Sequence, residues 1–178
     1  MTELDALARE IETIGFACTG CGDCCRGVDE DGSLVMVGRA EGRRVAEAAD
    51  LPFADAVVPF PGEVEVRGRP CRLGWALVRD EEGACRFHDG ARCTVYEARP
   101  WICRTYPFML DNERLVVGEC PGLGAPISGE DARALATDLL ARREADEAEA
   151  AGIRDMLAAV DLPAHGTVVV DAEGVTRA

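Results

Sequence analysis

The sequence predicts a small α+β domain with an irregular centre, a short antiparallel sheet and C-terminal helices. Apolar residues recur at helical spacing near both ends of the chain. Apolar and polar residues alternate at 64–66 and 72–78, which is typical of two antiparallel strands. Two segments, 16–32 and 83–108, carry most of the cysteines; the first is rich in glycine and cysteine, so we expect a loop there.

The N-terminal half supplies most of the predicted elements. Thr2 and Asp5 form a capping box, and an apolar stripe over 4–14 predicts a first helix that ends at Gly15. Prolines interrupt 51–61, which is predicted to be a loop. The other elements expected before residue 120 are a strand at 34–37, a helix at 39–49 and a strand at 115–117.

The C-terminal part has a different pattern. Ser128 and Asp131 cap an alanine-rich helix, a charged turn follows at 142–149, and a second apolar stripe covers 153–160. The tail at 168–175 is either a hairpin or a loosely packed end. We predict one domain over 1–178, with a cysteine-cluster core at 16–122 and a helical C-terminal extension at 128–161.

Composition and charge exclude several classes of function. The 178 residues carry 33 acidic and 19 basic side chains, a net charge of −14, which argues against a nucleic-acid partner. All basic residues are arginine, so neither a lysine Schiff base nor a phosphate-loop lysine is available. Ser33 and Ser128 are the only serines, and neither lies in a Gly-x-Ser-x-Gly turn.

The compartment decides how nine cysteines are interpreted. The chain begins Met1-Thr2-Glu3 without a basic, then apolar, leader, and no apolar run approaches the roughly 18 residues of a membrane span. We therefore expect a cytoplasmic protein with no membrane partner. In a reducing compartment, clustered cysteines indicate metal binding or catalysis rather than a disulfide framework. Their odd number also disfavours a complete set of disulfides.

The cysteines form two groups with ligand-like spacing. A gap of two residues lets one turn of backbone direct two sulfurs at one ion, and two overlapping gaps with four cysteines within eight residues are a specific signal. The first group is Cys18, Cys21, Cys24 and Cys25; the second is Cys85, Cys93, Cys103 and Cys120. Together they predict a metal centre.

The adjacent pair Cys24 and Cys25 limits how the metal is held. Neighbouring side chains in extended backbone point in opposite directions, so both sulfurs rarely bind one ion. The pair could serve two metals, two irons of one cluster, or one ligand and one free thiolate. Eight thiols match two four-coordinate zinc sites, or a cluster with additional thiols.

Arginines are enriched beside the cysteines. A four-thiolate metal centre carries negative charge, and arginines nearby would balance it. The arginines that flank a cysteine are Arg26, Arg72, Arg86, Arg92 and Arg104.

These residues resemble a known family. The resemblance lies in three segments: Phe16-x-Cys18-x2-Cys21-x2-Cys24-Cys25, then Cys93-Thr94-Val95-Tyr96-Glu97-x-Arg99-Pro100-x2-Cys103-Arg104-x-Tyr106-Pro107-Phe108, and then Cys120. These segments are similar to the YkgJ-type cysteine-cluster family, a zinc- or iron-chelating domain. The resemblance covers roughly 16–122. It implies that the shared ligands are Cys18, Cys21, Cys24, Cys25, Cys85, Cys93, Cys103 and Cys120. Cys71 lies outside the pattern, and His88 stands where the family more often has an aliphatic residue.

Three functional hypotheses follow. The first is an iron–sulfur cluster used in redox chemistry or electron transfer with a protein partner, favoured by the ferredoxin-like run of Cys18 to Cys24 and by Cys120-Pro121. The second is a structural zinc module that scaffolds a protein–protein interaction. The third is an enzyme in which a spare thiolate of Cys24 or Cys25 is reactive. Spacing alone does not name a substrate.

Overall fold

The computed structural model describes residues 1–26, 34–163 and 165–177. The helices are α1 (Glu3–Ile14), α2 (Arg39–Ala48), α3 (Phe53–Ala56), α4 (Trp101–Thr105) and α5 (Gly129–Ala159). The strands are β1 (Met36–Val37), β2 (Val57–Pro59), β3 (Glu63–Val66), β4 (Arg69–Leu73), β5 (Trp75–Leu77), β6 (Phe108–Asp111), β7 (Arg114–Val117), β8 (Val168–Asp171) and β9 (Gly174–Arg177). The predicted α+β class is confirmed.

Helices α1 and α5 pack together at one end of the molecule. Thr2 caps α1 through the predicted capping box, and the Ser128 side chain accepts a hydrogen bond from the Asp131 N–H at the start of α5. Ile11 of α1, Leu139 of α5 and Phe108 of β6 are almost completely buried in the same apolar cluster. The apolar stripe predicted for the first helix therefore forms its buried face.

The strands form three small sheets. Strand β5 pairs antiparallel with β1 and β2, and β6 pairs antiparallel with β7. The third sheet has the order β3-β4-β8-β9, in which β4 and β8 are parallel and the other pairs antiparallel. The C-terminal hairpin thus completes a sheet that begins in the middle of the chain.

A buried ion pair joins this hairpin to α2. The fully buried carboxylate of Asp171 accepts hydrogen bonds from Arg39 Nε at 2.8 Å and Trp75 Nε1 at 2.7 Å. The Arg39 guanidinium also lies over the Trp75 ring, 5.2 Å from its centroid. A buried carboxylate is tolerated when it is paired and hydrogen-bonded in this way.

The structure corrects three element predictions and decides between the alternatives for a fourth. Segment 51–61 contains α3 and β2, because Ala56 and Val57 bury their side chains in the core. Gly74, at φ +74°, divides the predicted strand 72–78 into β4 and β5 of different sheets. The charged turn does not interrupt the C-terminal helix, since its alanine, glutamate and arginine residues are strong helix formers. Of the two alternatives for the tail, the structure has the hairpin, and its first strand is wholly buried.

The predicted loop at 16–32 lies partly outside the described residues. Over 16–26 it is irregular apart from one short 3-10 helix, as predicted. Within the part of the chain that the structure describes, no helix combines the length and apolarity needed to cross a bilayer.

Candidate metal centre

All eight cysteines of the two predicted groups line one or both of two adjoining cavities. The larger cavity, of about 400 Å³, is lined by Cys18, Cys24, Cys25, Cys85, Cys93 and Cys103. The smaller one, of about 180 Å³, is lined by Cys18, Cys21, Cys24, Cys103 and Cys120. Folding therefore brings together cysteines that are as much as a hundred residues apart in sequence.

The first cysteine group lies on a short, tightly turned segment. Gly22, at φ +76°, precedes the 3-10 helix Asp23–Cys25. The Cys85 N–H donates to the Cys25 carbonyl at 2.7 Å, and Arg26 forms an isolated β-bridge with Ala84. These backbone contacts bring Cys25 next to Cys85 of the second group.

Cys93 and Cys103 are presented by local turns. Cys93 forms an isolated β-bridge with His88, which closes a tight loop. Cys103 lies on α4, which begins directly after Pro100, and its N–H donates to the Pro100 carbonyl at 3.0 Å. The proline forces Arg99 into extended backbone, so the chain turns sharply into α4 and directs Cys103 into the cavities.

Cys120 is held by a close approach of two backbone segments. The Ala17 N–H donates to the Gly122 carbonyl at 3.0 Å, and a Cβ at position 122 would lie 2.2 Å from the Ala17 carbonyl oxygen. Only glycine fits there. The Gly122 N–H also donates to Cys120 Sγ at 3.5 Å, a contact that stabilises negative charge on the sulfur.

Burial keeps several of these thiols protonated in the metal-free protein. It raises the pKa of Cys103 to about 12 and also raises the pKa of Cys85 and of Cys93. A thiolate is the form that binds metal, so metal must displace these protons. The negative charge of neighbouring thiolates raises the pKa of Cys103 further, which a bound cation would reverse.

Cys24 and Cys25 behave as one coupled pair. Their sulfurs are 4.0 Å apart, within hydrogen-bonding distance, and either thiol can be the donor. Cys25 ionises first, because the hydrogen bond from Cys24 lowers the pKa of Cys25, whereas the same hydrogen bond and burial raise the pKa of Cys24. Cys24 lines both cavities, while Cys25 lines only the larger one.

Three of the five arginines that flank a cysteine lie at the site. Arg92 lines the larger cavity and Arg104 the smaller, while Arg26 donates to the Cys21 carbonyl. Arg86 and Arg72 do not line either cavity.

Sequence reasoning missed Arg99 as a part of the site. Arg99 is not adjacent to a cysteine, but it lines both cavities, and its charge favours the thiolate forms of Cys24, Cys93 and Cys103. Its guanidinium lies over the Tyr96 ring, 3.4 Å from the centroid. Its place before Pro100, in the turn that presents Cys103, was the available signal.

Two residues left open by the sequence are now located. Cys71 is fully buried on β4 with Val168 and Val170, away from both cavities. His88 lines the larger cavity. Two aromatic residues follow Cys103 in the family motif: Phe108 is buried in the core, while Tyr106 lines both cavities.

The cysteine sulfurs are ligands that suit a soft metal, and their distribution along the cavity walls indicates the size of group they could hold. All nine cysteines are free thiols, and thiolates prefer zinc or iron–sulfur clusters. Among the described residues, no three cysteine, histidine or acidic side chains converge closely enough to hold a single ion. The sulfurs lie along the cavity walls instead, so a single ion would require the walls to close around it, whereas a larger group would span more of the gap.

A small α+β fold with eight thiols around adjoining cavities defines a cysteine-cluster metal-binding domain. The chain belongs to the CxxCxxCC family, described as a "putative zinc- or iron-chelating domain", whose model matches residues 17–121. The resemblance seen in the sequence is thereby confirmed. This description fits either zinc or an iron–sulfur cluster.

A curated relative is more distant. The chain is 28% identical over 140 residues to LIM domain-containing protein B of Dictyostelium discoideum, which covers 75% of this chain. The chain matches only 24% of that protein's length. No solved structure is significantly similar to this chain.

Proposed function

We propose that the eight cysteines hold an iron–sulfur cluster and that the protein transfers electrons to or from a protein redox partner in the cytoplasm. The observation that carries this proposal is the width of the thiol-lined space. A structural zinc site is closed, with four sulfurs about 2.3 Å from one ion. Here eight sulfurs line about 400 and 180 Å³ of connected space, which suits a multi-atom group better.

The exposure of the site supports a role in electron transfer. Cys18 and Cys24 are exposed, so a group bound there lies near the surface, where a partner protein can approach it. Arg92 and Arg99 border the same space and would offset the negative charge of a thiolate-bound cluster. When bound, the cluster would supply reversible one-electron oxidation and reduction.

The experiment is a metal and sulfide analysis of anaerobically prepared protein. We expect a brown protein with iron and acid-labile sulfide, and a visible band that bleaches when dithionite is added. A colourless protein without sulfide would contradict the proposal.

A matched pair of variants tests the site. Cys25→Ala should lower the iron content or alter the spectrum, whereas Cys71→Ala, the same change at a cysteine outside both cavities, should leave both unchanged. Full metal content with lost redox activity in Cys25→Ala would instead indicate a reactive thiolate.

The second candidate is a structural zinc module that scaffolds a protein interaction. Two adjoining cavities lined by eight cysteines match two four-thiolate zinc sites. The relative is named for LIM domains, and LIM domains are structural zinc modules. This alternative predicts up to two zinc ions per chain and no sulfide in the same analysis.

A further inference from the structure

His88 has a buried nitrogen that the protein's own hydrogen bonds leave unused. The Gly90 N–H donates to His88 Nδ1 at 3.3 Å, so Nδ1 acts as an acceptor. A neutral imidazole carries one hydrogen, which must then be on Nε2. Among the described residues Nε2 is buried and has no hydrogen-bond partner. A buried donor without an acceptor is costly, so this atom needs an explanation.

The unpartnered nitrogen faces the first cysteine group. A Cβ placed on Gly22 would lie 2.4 Å from His88 Nε2, which means that the imidazole edge lies directly against the backbone between Cys21 and Cys24. Glycine at this position leaves room for the ring. His88 also lines the larger cavity together with Cys24.

The three backbone carbonyls from Cys21 to Asp23, which surround Gly22, are already engaged. The Cys21 carbonyl accepts from the Arg26 side chain, and the Gly22 carbonyl accepts from the N–H groups of Cys25 and Arg26. The Asp23 carbonyl also accepts from the Arg26 N–H, and the Asp23 carboxylate pairs with the Arg26 guanidinium at 3.4 Å. Cys21 and Cys24 lie on either side of Gly22 in the sequence, so their sulfurs are candidate acceptors for a donor on this side.

We propose that His88 donates its Nε2–H to a sulfur of the metal centre bound by the Cys18–Cys25 segment, and that His88 is not itself a metal ligand. Ligation through Nε2 would need that atom's lone pair, with the hydrogen on Nδ1, where the Gly90 N–H points instead. A hydrogen bond to a metal-bound sulfur stabilises the more negative, reduced state, and so raises the reduction potential. The effect on potential rests on the proposed iron–sulfur function.

Three variants test this role. His88→Leu removes the donor, His88→Gln keeps an N–H donor, and His165→Leu makes the same change at an exposed histidine as the control. In anaerobically prepared protein we expect full iron and sulfide in all three. The midpoint potential should fall in His88→Leu, recover at least in part in His88→Gln, and match the wild type in His165→Leu.

Two results would overturn the proposal. Loss of metal from His88→Leu that His88→Cys restores would make His88 a ligand. Equal potentials in His88→Leu and the wild type, with intact clusters, would show that no hydrogen bond reaches the centre. Should His88→Leu fail to fold, His88→Ala, which also removes the donor, takes its place in the comparison with His88→Gln and the wild type.

The proposal can be separated from the identity of the metal. If the wild type contains zinc and no sulfide, the proposed function fails, but His88 can still be examined in the zinc protein by long-range ¹H–¹⁵N spectra. The hydrogen should reside on Nε2, and His88→Leu should retain zinc yet release it faster to a chelator. A zinc-bound Nε2 with the hydrogen on Nδ1 would refute the inference.

Discussion

The α1–α5 pair and the cysteine segments are held together by different forces. The helices bury continuous apolar faces, with Ile11 and Leu139 almost completely excluded from water. The cysteine segments over 16–26 and 84–93 instead contain isolated β-bridges, a 3-10 helix and thiols packed at the edge of the core. The α1–α5 pair is therefore driven to fold by its own apolar burial, whereas the cysteine segments depend for much of their order on what the thiols bind.

Metal removal should produce the largest difference between the two regions. The chain has no lysine, so trypsin can cut only after arginine, which makes Arg26 a reporter for the cysteine segment and Arg133 a reporter for α5. After chelation under reducing conditions, we expect cleavage after Arg26 to accelerate by about tenfold or more, equivalent to about 1.4 kcal/mol of local stability. Cleavage after Arg133 should not change.

Mass spectrometry of the fragments over time gives both rates in one sample. Reloading the chelated protein should restore the slow cleavage after Arg26. Equal rates at Arg26 with and without metal would mean that the cysteine segment orders itself, and the comparison would fail.

The second test acts on the apolar region. Leu139 is only 1% exposed, so Leu139→Ala leaves a cavity in the core. The substitution should lower the free energy of unfolding by about 2–5 kcal/mol. The metal content of the folded protein should stay unchanged, because Leu139 lines neither cavity. Urea denaturation and metal analysis of the same preparation measure the two effects.

Leu140→Ala provides the control on the same helix, since Leu140 is only partly buried, lines neither cavity and should cost less. If Leu139→Ala also lost metal in its folded state, the two regions would behave as one unit rather than two.

The two regions also differ in how far the sequence predicts them. Helical spacing located α1 and the start of α5, and the two cysteine groups identified all eight cysteines that line the cavities. Both signals are local or depend on residue type alone. The division of 72–78 between two sheets was not predicted, because it depends on a parallel partner, β8, almost a hundred residues later.

Two arginines that line the cavities were not predicted for a similar reason, because their positions depend on the fold rather than on residue spacing. Arg99 reaches the thiols because α4 turns the chain, and Arg142 lines the larger cavity because α5 continues through its charged stretch. Neither residue has a spacing that marks it. The ligand role of the eight cysteines stays a prediction, as does the single domain over 1–178 with its core at 16–122 and its extension at 128–161.

Cys71 tests whether a buried thiol outside both cavities is purely structural, and the expected effect on stability is smaller. Cys71 is fully buried on β4, and Cys71→Ala should lower the free energy of unfolding by about 1 kcal/mol through lost packing. The same loss should be measured with and without metal. A larger loss in the metal-loaded protein would mean that Cys71 contributes to the centre.

The smallest expected effect concerns a carboxylate between α5 and the C-terminal hairpin. Burial raises the pKa of Glu149 above its usual 4.5, and the charges of Asp171 and Glu173 raise it further, although the Ala172 N–H donates to the carboxylate at 3.1 Å. The folded state therefore favours the protonated form. The stability that Glu149 contributes is present in acid and is lost as the pH rises through its raised pKa.

Glu149→Gln keeps an oxygen for the Ala172 N–H and removes the charge, so it should raise the free energy of unfolding at neutral pH by roughly 0.5 kcal/mol. Near pH 4 the gain should shrink, because the wild-type side chain is then largely protonated in both states. Glu144→Gln, at an exposed position of the same helix, controls for the general loss of one negative charge from a chain at −14. Urea titrations at both pH values compare the two variants. A gain of the same size in Glu144→Gln, or one that does not depend on pH, would assign the effect to net charge rather than to burial beside the hairpin.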